Sequence, residues 1–316
     1  MSGLDIIATG RYAPKQVVTN EMMTEYVDTN DEWITKRTGI KQRHFVQTEN
    51  TTELALEAVK DALSKCQIDQ DKIGYIIVAT FTPEHFTPST ACLIQRDLGL
   101  PEEVLALDIN AACSGFLYGL KVVHSLLSQD SDKYAILVGS EVISKFLNFS
   151  DRGTCVLFGD GAGAAILKLN EQKDFYFNSG SKGDDVALIC RGMPLPSENH
   201  PMQVEMDGKE VFKFAVDALS RSIDRMLEET KLNLEEIDYV ICHQANIRII
   251  SHVYKKLKVS PDKFCINIQE YGNTSAASIP ILLDEMNEKK MLKRGMRLLL
   301  VGFGAGFTWG ASLIQW

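Results

Sequence analysis

Close-set cysteines, clustered histidines and long apolar runs are all missing from this 316-residue chain. Its seven cysteines are scattered, with no CxxC pair and one left over, which argues against a disulfide framework and fits a reducing, cytoplasmic setting. The six histidines (His44, His85, His124, His200, His243, His252) form no HExxH or other close ligand set, so no catalytic metal is expected. No apolar run is long enough to span a bilayer, and MSGLDIIATG lacks the basic-then-apolar order of a signal peptide. Positive charge is in deficit: 33 Lys and Arg face 42 Asp and Glu, and a net charge of -9 disfavours nonspecific binding to nucleic acid or to an anionic membrane. Phosphate loops are absent too. GFGAGFTWG and FGDGAG match neither the GxGxxG of a dinucleotide site nor the GKS/T of a nucleoside-triphosphate site. Their glycines read instead as points of close backbone approach, with an N–H group on offer to an oxyanion.

What is present is a globular composition, 45% hydrophobic and 24% charged, with length enough for one large domain or two fused ones. Short continuous apolar runs alternate with amphipathic stretches. GYIIVAT (74–80), VLALDI (104–109), YAILVGS (134–140), DYVICH (238–243), KFCINI (263–268) and RLLLVGF (297–303) read as central strands covered on both faces. Helices are expected over Glu53–Cys66, Ser114–Leu127, Val211–Glu229, Ile247–Leu257 and about Ser278–Glu288.

The two halves repeat each other in order. DKIGYIIVAT from 71 parallels EEIDYVICHQ from 235, VLALDI parallels FCINIQ, and YAILVGS parallels RLLLVGF. Each half closes on a glycine-rich apolar segment, FGDGAGAAILKL or FGAGFTWGASLI. Generic strand–helix alternation is the blander account of these matches. The spacing favours a duplicated α/β fold, with residues 1–170 and 171–316 as two similar halves packed together.

Active sites of α/β sheets gather where strands give way to helices, and three polar residues stand there. Cys113, in DINAACSGF, opens a helix after a strand. Unpaired N–H groups and the positive helix end favour the thiolate, so this thiol is expected to ionise more easily than an ordinary one. Cys66, Cys155, Cys242 and Cys265 lie inside apolar runs and read as inert core cysteines, as does Cys92. His243 closes VICH, as a proton donor or as a cap. Asn273, after Gly272, is a turn residue or an amide donor into a site. In NIRIISHVYKKLK, Arg248, His252, Lys255 and Lys256 share one helical face. This is a solvated surface or a landing place for an acidic or phosphorylated partner.

These motifs resemble those of the β-ketoacyl-acyl-carrier-protein synthase III family, the initiating condensing enzymes of type II fatty acid synthesis. The likeness covers essentially the whole chain, through VDTNDEWITKRTGIKQRH, DINAACSGF, DRGTCVLFGDGAGA, VICHQANIRII, YGNTSAAS and GFGAGFTWG. It implies a thiolase-like duplicated fold, layered α-β-α-β-α, and a homodimer. It further implies Cys113, His243 and Asn273 as the catalytic trio, with the backbone N–H groups of Cys113 and Ala305 as the oxyanion site. Many relatives carry glycine at the position of Ala305. By the same resemblance Trp33, Arg37, Arg152, Phe212, Ala245 and Asn246 would bind CoA, and Arg248, Lys255 and Lys256 would dock the acidic acyl carrier protein. No tightly bound cofactor is implied; the CoA thioester is a substrate. Thr87 stands where the best-known straight-chain enzyme has a phenylalanine that closes the dimer partner's acyl pocket. The smaller side chain would admit branched or longer primers, unless neighbouring Phe86 refills the space; acetyl-CoA is the default primer.

Rival readings are a diverged homologue serving a secondary pathway and a non-catalytic scaffold. A degradative thiolase is disfavoured because GFGAGFTWG carries no second cysteine. An elongating synthase would pair two histidines with its cysteine, and Asn273 stands against that.

Overall fold

Continuous apolar runs become central strands, and the chain returns between them through helices. The computed structural model describes residues 2–193 and 200–316. The first part of the chain forms β1 (Ser2–Tyr12), β2 (Gln16–Thr19), α1 (Asp31–Thr38), β3 (Gln42–Phe45), α2 (Thr51–Ser64) and β4 (Ile73–Ala79). It continues with α3 (Thr90–Leu98), β5 (Leu105–Ile109), α4 (Gly115–Leu127), β6 (Tyr134–Glu141) and β7 (Gly161–Asp174). The rest forms β8 (Tyr176–Ser181), β9 (Leu188–Cys190), β10 (Val204–Met206), α5 (Gly208–Thr230), β11 (Tyr239–Cys242) and α6 (Ile247–Lys256). It ends with α7 (Ile268–Tyr271), α8 (Ser278–Glu288), β12 (Arg297–Gly304) and β13 (Thr308–Gln315).

Two sheets repeat one plan. The first has the order β5-β4-β6-β7-β1, with β4 parallel to β5 and β6, and with β7 antiparallel to β6 and β1. The second runs β11-β12-β13-β8, with β11 parallel to β12 and the other pairs antiparallel. At the outer edge of β11, Phe264 makes one parallel bridge to Val240, in the place that β5 holds beside β4. The expected strand KFCINI therefore shrinks to a single bridge. The side chain of Gln244 takes over the ladder there, donating to Cys242 O (2.8 Å) and Cys265 O (3.3 Å) and accepting from the Asn267 N–H (3.2 Å).

Helix α8 spans the expected residues, and α2, α4, α5 and α6 lie within a few residues of expectation. Three helices are not announced by the sequence pattern, the four-residue α7 among them. Polar α1 has no apolar stripe to announce it, but Asn30 caps its N-terminus and Gly39, at φ 83°, ends it. Short α3 is capped by Ser89.

Strand alternation divides the core into layers. Ile77, Ile241, Leu298 and Leu300 face inward onto Phe116, Leu117 and Leu120 of α4 and onto Leu282 and Leu283 of α8. Their neighbours Ile76 and Val78 face outward onto α2 and α3, while Leu299 and Val301 face α5 and α6. The result is the α-β-α-β-α stack, with α4 and α8 between the sheets.

One buried polar cluster ties β1, α2 and α8 together. Asp284, fully buried, accepts from Thr9 Oγ1 (2.9 Å) and pairs with Arg11 and with Lys65 Nζ (2.9 Å). Asp61 and Glu288 complete the group, so its three carboxylates are matched by two cations. Removing one member of a buried network strands the others. Asp284→Ala should therefore lower the unfolding free energy in urea by about 3 kcal/mol, well beyond the effect of breaking a surface pair.

Candidate active site

Beyond β5 the chain turns at Ala111, and Ala112 adopts a left-handed backbone, φ 46°, unusual for a residue with a Cβ. That kink sets Cys113 on a short turn (Ala112–Ser114) leading into α4. The sulfur is deeply buried. Burial pushes the thiol up to about 12, with the Ser275 hydroxyl pulling the other way and Glu141 adding to the rise. The expected easy ionisation is thereby overturned, because desolvation in so dry a place outweighs the helix end.

The end of β12 closes over this turn. A Cβ on Gly304 would stand 2.7 Å from Cys113 N and 3.1 Å from Ser114 N, so only glycine permits the approach. Ala305 follows, half-buried. Thr308 Oγ1 lies 3.0 Å from Ala111 O and 3.1 Å from Ala305 O, tying the two turns together.

His243 follows β11, its N–H donating to Val301 O (2.9 Å). Its Nδ1 lies 2.7 Å from Ser278 Oγ, an oxygen that also accepts from the Gln244 N–H at 3.3 Å. Nε2 is buried, with no hydrogen-bond partner among the described residues. Burial pushes the imidazolium down to about 3, so the ring is neutral at physiological pH. A buried ring nitrogen left without a partner is the position of an atom that a substrate would supply.

Asn273 is buried as well. Its Oδ1 accepts from the Ser275 N–H at 2.9 Å, which identifies the oxygen end of the amide. The amide NH2 donates to no described residue. The backbone here is clamped to the first half: Asn273 N–H donates to Leu157 O (2.9 Å) and Gly159 N–H to Asn273 O (3.0 Å).

Residues 273–278 thus touch every part of the trio. Asn273 begins the segment, the Ser275 turn packs against the turn that carries Cys113, and Ser278 holds His243. Sequence reading missed both serines, although both stand inside YGNTSAAS. It also missed Glu141, a carboxyl at the end of an otherwise apolar strand. That carboxyl is completely buried, and its Oε1 accepts from Ser275 Oγ at 3.1 Å.

A cavity of about 510 Å³ opens beside Cys113 and Ala305, walled by Phe81, Val142, Phe158 and Leu188. His243 and Asn273 do not line it. Thr87 is exposed and lies outside it, whereas Phe86, 79% exposed, reaches it. Half-buried Cys190 also lines the cavity. Cys92, read as a core residue, is exposed: on α3 it is Ala91 and Ile94 that face the sheet.

The remaining predicted residues gather around α1 and α6, with Ala245 buried among them. Arg37 and Arg152 both lie over the ring of half-buried Trp33, at 4.8 and 4.6 Å from its centroid. Gly39, ending α1, packs on Ile247 at the start of α6, next to Ala245 and the capping residue Asn246. Phe212 of α5 meets His252 edge-on (5.1 Å) and carries Arg248 over its ring (5.6 Å). Arg248, Lys255 and Lys256 are exposed along α6.

The sequence profile of 3-oxoacyl-[acyl-carrier-protein (ACP)] synthase III matches residues 107–183, and that of its C-terminal part matches residues 227–316. The β-ketoacyl-[acyl-carrier-protein] synthase III of Clostridium novyi (strain NT) is 50% identical over 326 residues, covering 100% of both chains. The chain belongs to the synthase III family. The synthase III of Clostridium botulinum (strain 657 / Type Ba4) is 46% identical over 325 residues, 100% of this chain and 99% of the other. Among solved structures, the 3-oxoacyl-[acyl-carrier-protein] synthase III of Aquifex aeolicus VF5 superposes with a TM-score of 0.93 at 41% identity, covering 99% of this chain and 100% of that one. The priming β-ketosynthase of the R1128 polyketide pathway superposes at 0.92 with 28% identity, over 99% and 96%. The duplicated thiolase-like fold expected of a synthase III is thus the fold observed.

Proposed function

We infer that this synthase III catalyses its family's decarboxylative Claisen condensation, joining a short acyl-CoA primer to malonyl-[acyl-carrier protein] and releasing CoA and CO₂. The product is a 3-oxoacyl-[acyl-carrier protein], and the step initiates type II fatty acid synthesis. The observation that carries this reading is one segment, residues 273–278: its amide and the ring nitrogen of the histidine it holds have no partner among the described residues, and it packs against the turn that carries a buried cysteine.

In the first half-reaction the Cys113 sulfur attacks the primer thioester, and the backbone N–H groups of Cys113 and Ala305 receive the developing oxyanion. In the second, His243 and Asn273 stabilise the enolate left when malonyl loses CO₂. A neutral histidine suits that task. Stabilising the enolate needs the ring proton on Nε2, the tautomer in which the Ser278 hydroxyl donates to Nδ1 while its oxygen accepts the Gln244 N–H. Asn273, with Oδ1 engaged by Ser275, points its NH2 at the same charge. The chemistry asks for no metal or resident cofactor.

Trp33, Arg37 and Arg152 form the nucleotide end of the CoA site, where adenine would stack in place of one guanidinium. Phe212, Ala245 and Asn246 line the path of the pantetheine arm. Arg248, Lys255 and Lys256 receive the acidic carrier protein. The assembly is a homodimer: β5 is an edge strand with Leu105 42% exposed, and Phe86 stands exposed near the acyl cavity. Thr87 would then act across the interface, in the partner's acyl pocket. The halves divide near residue 170, within β7. Among the described residues no helix is long and apolar enough to cross a membrane. A secondary-pathway role is the alternative that the R1128 likeness keeps in view, though full-length identity to synthase III chains is far higher.

Intact-protein mass after incubation with acetyl-CoA, isobutyryl-CoA or octanoyl-CoA should show an acyl increment that Cys113→Ala lacks, and loading rates will rank the primers. Absence of any adduct, from acyl-carrier donors as well, would refute the covalent step. His243→Ala and Asn273→Ala should still acylate but lose condensation by on the order of 100- to 1,000-fold, as for loss of an oxyanion donor. Lys255→Glu with Lys256→Glu should raise the KM for malonyl-carrier by about tenfold, a gap that narrows with added salt.

A further inference from the structure

Glu141 ends β6 in complete burial, and among the described residues every hydrogen bond to its carboxyl comes from an uncharged group. Burying a carboxyl on those terms is costly, and an apolar residue would fill the strand end without that cost. Neither half-reaction gives it a part. What sets it apart is that it reaches from one half of the chain to the other.

Its two oxygens serve different halves. Oε2 accepts from Thr82 Oγ1 (2.7 Å), Thr80 Oγ1 (3.1 Å) and the Phe81 N–H (3.2 Å), all in the turn that follows β4. Thr82 Oγ1 also accepts the Val142 N–H at 2.8 Å, closing that turn on the residue after Glu141. The carboxyl is thereby fixed from the first half. Oε1 has a single described contact, Ser275 Oγ at 3.1 Å, and Ser275 belongs to the second half.

Ser275 is left-handed, φ 51°, a conformation that its Cβ makes unfavourable. In that conformation its N–H donates to Asn273 Oδ1 at 2.9 Å. Relaxing φ towards ordinary values would turn the peptide and carry the N–H away from the amide oxygen. The backbone bonds of Asn273 to Leu157 and Gly159 place the segment as a whole. Within it, the Ser275 hydroxyl is the side-chain tie that holds the turn.

We propose that Glu141 is an anchor that aims the Asn273 amide. By holding the Ser275 hydroxyl it keeps the Ser275 N–H on Asn273 Oδ1, and so keeps the amide NH2 turned to the enolate. This rests on the condensing-enzyme reading above. Glu141 and Ser275 touch no reacting atom in that scheme and are positioning residues; Asn273 meets the charge.

The tie survives a change of protonation. Burial pushes Glu141 up to about 8, partly relieved by its donors, so both forms are populated near that pH. As a carboxylate, Oε1 accepts from the Ser275 hydroxyl. As an acid, with Oε2 occupied by three donors, the group carries its proton on Oε1 and donates to Ser275 Oγ. A glutamine repeats the second arrangement, its oxygen towards the three donors and its NH2 towards Ser275. Geometry, not charge, is the requirement.

The two half-reactions separate this role from packing, because acylation of Cys113 does not use Asn273 whereas decarboxylation does. The test measures CO₂ released from malonyl-[acyl-carrier protein] without primer, beside Cys113 acylation by acetyl-CoA read by intact mass. Ser275→Ala removes the hydroxyl and leaves the N–H. It should lower kcat for decarboxylation by on the order of 10- to 100-fold, as for a catalytic group displaced by about 1 Å or less, with KM and acylation little changed. Since Ser275 acts through Asn273, adding Ser275→Ala to Asn273→Ala should bring no further loss. Glu141→Gln should stay near the wild-type rate. An equal fall in both half-reactions, an additive loss in the double variant, or a Glu141→Gln enzyme as slow as Ser275→Ala overturns the anchor. Should Ser275→Ala not fold, Glu141→Asp, whose carboxyl is one methylene short of Ser275, takes its place with the same expected split. Wild-type protein that neither acylates nor decarboxylates overturns the condensing-enzyme reading itself. Wild-type protein that does both, with Ser275→Ala unchanged, overturns the anchor alone.

Discussion

The site depends on a backbone contact between halves. A Cβ on Gly139 of β6 would stand 2.3 Å from Ala276 O, closer than any side chain tolerates. That glycine lets the 273–278 segment lie directly against the first sheet, and the Leu157 and Gly159 hydrogen bonds hold it there. With the segment in place Asn273, Ser275 and Ser278 reach the cysteine and the histidine. Bulk at Gly139 would lift the segment and separate Cys113 from Asn273 and His243, whatever the quality of the rest of the core.

So tight a junction excludes water, and electrostatics there follow from dryness. The thiol rises, the imidazolium falls and the carboxyl rises, all chiefly from desolvation. The protein answers with oriented dipoles instead of opposite charges: three donors on one Glu141 oxygen and a hydroxyl against Nδ1. Dipoles fixed by the fold need little rearrangement as charge moves from sulfur to oxyanion to enolate. Surface charge does other work, and the cations of α6 stand well apart on their own exposed face.

Central strands were legible because a strand covered on both faces must be apolar throughout. KFCINI has that composition, yet its ladder is replaced by the side chain of Gln244, a tertiary substitution no periodicity announces. Helix α1 escaped notice because its caps, not an apolar stripe, define it. Cys113 could be singled out from its place at a strand-to-helix junction. Its acidity could not, because burial is imposed by residues about 160 positions further along the chain. Glu141 was hidden for the same reason: its partner Ser275 belongs to the opposite half.

The left-handed residues Ala112 and Ser275 have a common setting. Each begins a short turn that leads into a central helix, α4 in one half and α8 in the other. The repeated architecture has the same kink twice, and the two copies meet face to face. One carries Cys113 and the other Ser275. Neither half alone encloses the sulfur, so a newly made chain carries a wet thiol of ordinary acidity until its second half docks. A chain whose second half has not docked would be marked by an unshielded, easily alkylated Cys113.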